Sequence, residues 1–238
     1  MKNLLKYETY RLWYSYTLLY AILFCFPLAI ISQLVIAGNP QSPAIYGMAF
    51  EFFVPQMLVI VVPALFIARE QKKGLIKTSL LCGQNRIKVF FSKTIIYYFT
   101  VIFVCLFYVL LLTLFNAKGL HIQIIDNENS VVYCFRCISI GLSYCVMLST
   151  LLLLISIVFK DPIITIISGM VLFFINFFMQ ATIDWRIADK IVASTMIESL
   201  MMKTMDIAVI TNYILLITLT TIIAYIASLI VFFKRNYK

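Results

Sequence analysis

Arg69-Glu70-Gln71-Lys72-Lys73-Gly74-Leu75-Ile76-Lys77-Thr78-Ser79-Leu80-Leu81-Cys82-Gly83-Gln84-Asn85-Arg86 is a basic, polar stretch set between two apolar runs, Met48 to Ala68 and Thr94 to Phe115. Runs of that length approach or exceed the ~20 residues that cross about 30 Å of hydrocarbon as helix, so the stretch reads as a loop joining two membrane spans. The rest of the chain repeats the pattern. Further apolar runs occupy Thr17 to Ala37, Tyr133 to Phe159, Pro162 to Ala181 and Ile207 to Phe233.

Composition points the same way. Of 238 residues, 63% are hydrophobic and 12% charged, with a mean hydropathy of +1.01, more apolar surface than a water-soluble domain of this size can hide. Alternating ten-residue segments of the barrel type are absent. The chain is therefore expected to be an all-α integral membrane protein, one domain over 1–238, with six spans. An even number of spans puts both termini on one side. With the termini inside, Lys2, Lys6, Arg11, Arg69, Lys72, Lys73, Lys77, Arg86, Lys88, Lys93, Lys160, Lys234, Arg235 and Lys238 are cytoplasmic, against Lys118, Arg136, Arg186, Lys190 and Lys203 outside. That asymmetry follows the positive-inside rule in the plasma membrane. It also accounts for the net charge of +9 as topology and attraction to anionic lipid, with no need of nucleic acid.

Residues 1–16 mix Lys2, Lys6, Glu8 and Arg11 with leucines, Trp13 and tyrosines, which suits a short helix in the headgroup layer; the alternative is a plain extension of the first span. The first apolar run is too long for a signal-peptide core. Residues 182–206 lack glycine and proline and are expected to form a short helical outer segment, one that can dip back into the outer leaflet only where it is buried against protein.

Catalytic chemistry is not expected of this chain. It has no G-x-x-x-x-G-K-[ST] phosphate loop, and its single histidine, His121, excludes H-E-x-x-H. Cys134 and Cys137 form a C-x-x-C at helical spacing without a second pair, so packing is preferred to zinc or redox chemistry. Glu51 and Arg136 are ionisable groups near the outer ends of spans; snorkelling explains each, and the functional alternative is an outer gate or substrate contact. Pro27, Pro55 and Pro63 interrupt the first two spans as inert kinks or as gating bends.

Within the polar stretch, Leu75 to Cys82 fits a two-turn helix punctuated by Gly74 and Gly83. Leu75, Ile76, Ser79, Leu80 and Cys82 offer apolar or small surface, with Lys73, Lys77 and Arg86 around it. The N-terminal helix, the six spans, an acidic residue after span two, and the run Gly74, Leu80-Leu81, Gly83, Arg86, Phe90-Phe91, Lys93 together resemble the type-2 permease family of bacterial ATP-binding-cassette exporters. The resemblance covers the whole chain in architecture and about 25 residues in motif. It implies that the segment holding Glu70, Gln71, Lys73, Gly74, Leu75, Ile76, Lys77, Ser79, Leu80, Gly83 and Arg86 is a coupling helix docking on an ATPase. It further implies two separate ATPase subunits that hold ATP and Mg, a second permease copy as homodimer or close paralogue, and export of an amphipathic peptide or other hydrophobic substrate. No cofactor is implied in this chain. Two other classes remain at this level: a membrane scaffold or sensor that recruits a cytoplasmic partner, and an ATP-independent carrier or channel.

Overall fold

A computed structural model describes residues 2–14, 16–37, 53–76, 78, 84–115, 130–182 and 207–234. Every regular element among them is helical. In chain order these are α1 (Lys2–Tyr14), α2 (Thr17–Ala37), α3 (Phe53–Pro63), α4 (Arg86–Phe115), α5 (Ser130–Phe159), α6 (Pro162–Thr182) and α7 (Ile207–Lys234). Between α3 and α4, the helix continues through a π-helical turn, Ala64–Ala68, and a short α-helical turn, Arg69–Lys72.

Three stretches among the described residues are long and apolar enough to cross a membrane: Arg86–Leu114, Phe135–Phe159 and Ile210–Lys234. A fourth is counted if α1 and α2, bent by 51° from one another, form one broken span. The bend lies at Tyr16, whose φ of 54° is left-handed, so α1 leaves the line of α2 before the apolar run begins. Residues 38–52, which include Glu51, and 183–206, the expected outer helical segment, lie outside the described residues.

α4 begins eight residues before the apolar run expected from Thr94. Arg86, Ile87 and Lys88 are exposed while Val89 and Phe90 are buried, so the first turns of this helix pack on one side and are solvated on the other. Pro63, which has no N–H and whose ring crowds the carbonyl four residues back, immediately precedes the π turn. Here the Arg69 N–H reaches back five residues to the Ala64 carbonyl. Pro27 lies inside α2, whereas Pro55 falls in the first turn of α3 as described, where a missing N–H costs no intrahelical bond.

The core is α4 against α5, with α2, α3 and α7 around them. Tyr97 of α4 donates to the Ser149 carbonyl of α5 at 2.8 Å, and Tyr213 of α7 donates to the Ile140 carbonyl at 2.7 Å. Ser92, Thr100, Ser149, Thr150, Ser156 and Ser228 are buried; their hydroxyls bond carbonyls of their own helices. Small residues of this kind let helix backbones approach closely where lipid offers no hydrophobic driving force. Cys25, Cys105, Cys137 and Cys145 are buried. In α7, only 17% of the apolar window is buried within the chain, against 56% in α4 and α5. The last helix is thus the most peripheral of the three.

Candidate functional site

The foot of the 69–86 segment is held by four buried charges. Lys93 of α4 donates from Nζ to Glu8 Oε1 of α1 at 2.8 Å and to Glu70 Oε2 at 2.6 Å. Arg11 Nη2 lies 3.0 Å from Glu70 Oε1. The four formal charges cancel, as they must when Lys93 and Glu8 side chains are only 5% and 1% exposed. Satisfaction is incomplete, because Glu8 Oε2 and both Arg11 Nη atoms have no hydrogen-bond partner, Arg11 Nη2 meeting Glu70 as an ion pair without hydrogen-bond geometry. Burial pushes the Glu70 carboxyl above the ordinary carboxylate range; Lys93 and Arg11 pull it back without cancelling the shift, and Glu8 adds to it.

α1 supplies its part through helical spacing. Leu4, Glu8 and Leu12 lie four residues apart on one face and are all buried. Tyr7, Tyr10, Trp13 and Tyr14 on the other face are exposed. Glu8 is thus carried inward by the leucines on either side of it.

Beyond the cluster, Lys72 reaches Asp161 Oδ2 at 3.0 Å, joining the segment to the turn between α5 and α6. Asp161 also caps α6, accepting the Ile163 N–H at 3.0 Å, and the Lys72 ammonium, then this N–H, hold its carboxyl below the ordinary range. The pair is solvated, so it adds little to stability. The chain then turns at Gly74, whose φ of +70° suits glycine. A helical turn restarts at once, with Thr78 N–H bonded to the Gly74 carbonyl at 3.2 Å and Thr78 Oγ1 to the Leu75 carbonyl at 2.8 Å. At the far end Arg86 Nη1 donates to the Phe233 carbonyl at 3.3 Å, tying the start of α4 to the end of α7.

Among its described residues, the segment offers less surface than its sequence suggests. Ile76 is 2% exposed and belongs to the core of the chain itself, and Glu70 and Gln71 are also buried. Leu75 is half-buried; Lys73 and Thr78 are exposed. Lys77, Ser79, Leu80 and Gly83 lie outside the described residues. Arg136 sits in the second turn of α5, half-buried, and no geometry relative to Glu51 is described. Glu8, Arg11 and Lys93 were not among the expected site residues. A signal for them exists in the chain: Glu8 and Arg11 fall at helical spacing with Leu4 and Leu12, and Lys93 stands between Phe90-Phe91 and Ile95-Ile96.

Fold and site define a helical membrane protein whose longest described polar connection is anchored to the bundle by buried ion pairs. The chain matches the model of the family described as ABC-2 family transporter protein over residues 4–176, and it belongs to that family. It is a permease subunit of an ATP-binding-cassette transporter, which works with an ATPase partner. Searches of curated proteins and of solved structures return no match.

Proposed function

We propose that the chain is the transmembrane subunit of a bacterial exporter, with six crossings, both termini cytoplasmic and the 69–86 segment docked on the ATPase. The observation that carries this reading is the way the segment is built. Its foot is fixed by Lys93, Glu70 and Arg11, the chain turns at Gly74 with a left-handed φ, and the helical turn that follows leaves Thr78 exposed. A short helix held rigidly at its base passes the motion of a bound ATPase into the helices on either side, α3 through the π turn and α4 directly.

Two ATPase subunits would bind ATP and Mg, and two permease copies would enclose the pathway. The expected cargo is an amphipathic peptide or other hydrophobic molecule, a reading supported by the apolar composition of the spans. The test is isolation of the chain from its own host in mild detergent. An ATP-binding-cassette subunit is expected in stoichiometric amount, released by Leu75→Asp with Leu80→Asp while the membrane protein stays monodisperse. Retention of the ATPase by that double variant would contradict the docking assignment.

A further inference from the structure

Four charges around Lys93 are a poor choice if stability alone is the purpose. Burial of ions returns its cost only when every lone pair and proton is satisfied, and Glu8 Oε2 and both Arg11 Nη atoms are not. Geometry is what the cluster does provide. One ammonium joins Glu8, on the N-terminal helix, and Glu70, at the foot of the 69–86 segment, to α4. Glu70 precedes the turn at Gly74 by one helical turn, so holding Glu70 in place holds the start of the turn beginning at Leu75. Lys72 with Asp161 is a second, solvated tether that screens easily, which leaves the buried tether to fix the angle.

We propose that Lys93 is a positioning residue for ATPase docking. It clamps the foot of the segment against α1 and α4, so that the turn from Leu75 is presented to the ATPase in one orientation. α1 thereby belongs to the same mechanical unit as the docking segment, although it lies outside it in sequence. The proposal rests on the docking reading above. Without the clamp the segment samples several orientations, and binding must order it again, which weakens affinity without removing a contact.

The test uses the full chain in lipid nanodiscs and, as probe, the ATPase subunit that co-purifies with it, fluorescently labelled. Lys93→Met is expected to weaken its Kd at least about tenfold, and Lys93→Arg, which keeps the charge, to restore it to within about threefold. Should Lys93→Met not yield a folded chain, Glu70→Gln, which keeps the shape of the side chain, is expected to weaken binding in the same direction. Tyr97→Phe removes the buried bond to Ser149 and touches nothing in the segment; it is expected to lower the melting temperature and leave Kd unchanged. Wild-type affinity in both Lys93→Met and Glu70→Gln, or an equal loss in Tyr97→Phe, would overturn the proposal. The Leu75→Asp, Leu80→Asp double variant separates the two levels. If it binds normally, the docking reading fails; if it does not bind while Lys93→Met binds as wild type, only the positioning role fails.

Discussion

Removing Lys93 alone from its cluster should cost at least as much as removing Lys93 and Glu8 together. Lys93→Met leaves Glu8 and Glu70 buried with Arg11 alone between them, a net charge of −1 where the wild type has none. Breaking a buried pair by deleting one partner costs about 3–5 kcal/mol. Burial already favours the neutral form of the Glu70 carboxyl, which holds the cost near the lower end, about 3 kcal/mol. For a chain of this size that corresponds to a fall in melting temperature of roughly 6–12 °C. Glu8→Gln leaves Lys93 with Glu70 and should cost about 1–2 kcal/mol. The double variant, Glu8→Gln with Lys93→Met, keeps the Arg11–Glu70 pair and is neutral again. Its loss should therefore fall short of the summed single losses by about 2–3 kcal/mol, which leaves it no less stable than Lys93→Met. The assay is thermal unfolding of the purified full chain, followed by fluorescence-detected size exclusion at constant detergent and pH. Additivity to within about 0.5 kcal/mol, or a double variant less stable than Lys93→Met, would refute the argument that charge balance governs this site.

Other consequences follow from the same geometry. Because the folded-state Glu70 carboxyl is raised, the folded chain binds that proton more readily than the unfolded chain; its contribution is present below the ordinary carboxylate range and lost as pH rises through the raised value. Melting temperatures measured across pH 4–7 should show this slope in wild type, and Glu70→Gln should remove it. Gly74→Ala places a Cβ in open space but at a φ of +70°, so the cost is backbone strain of about 1–2 kcal/mol. Its signature is weaker ATPase binding and faster hydrogen exchange confined to the segment. At Gly169 in α6 an added Cβ would meet Ile60 Cγ2 at 2.7 Å and Cγ1 at 2.8 Å, and Ile60 is itself buried. Gly169→Ala should cost about 1–3 kcal/mol by overpacking, and Ile60→Ala in the same chain should recover part of that loss in melting temperature.

The apolar runs were legible because hydropathy alone decides whether a helix survives in lipid, and α2, α5, α6 and α7 begin within three residues of the runs read from Thr17, Tyr133, Pro162 and Ile207. The start of α4 was not, since Arg86 and Lys88 interrupt the hydropathy but not the helix: one face there is solvated and the other is buried at Val89 and Phe90. The bend at Tyr16 uses a left-handed φ on a residue that does not advertise it. The π turn after Pro63 was foreshadowed only as a proline kink. The segment from Arg69 stood out by its charge, and Gly74 by its place in it, yet the inward side of Ile76 is set by tertiary packing. The Lys93 cluster joins positions 8, 70 and 93, a meeting that only the fold creates. Its one trace in the chain is local, in charged residues set on the leucine face of α1 and a lysine set among phenylalanines and isoleucines.

The most direct test of the docking account is a photo-cross-linking amino acid placed at Thr78, an exposed position on the proposed docking turn, and, as control, at Leu19 on the exposed face of α2, in cells that make the transporter from its own genes. The account predicts a light-dependent adduct between the chain and an ATP-binding-cassette ATPase from Thr78 and none from Leu19. No ATPase adduct from Thr78, with the transporter present and correctly inserted, would contradict it.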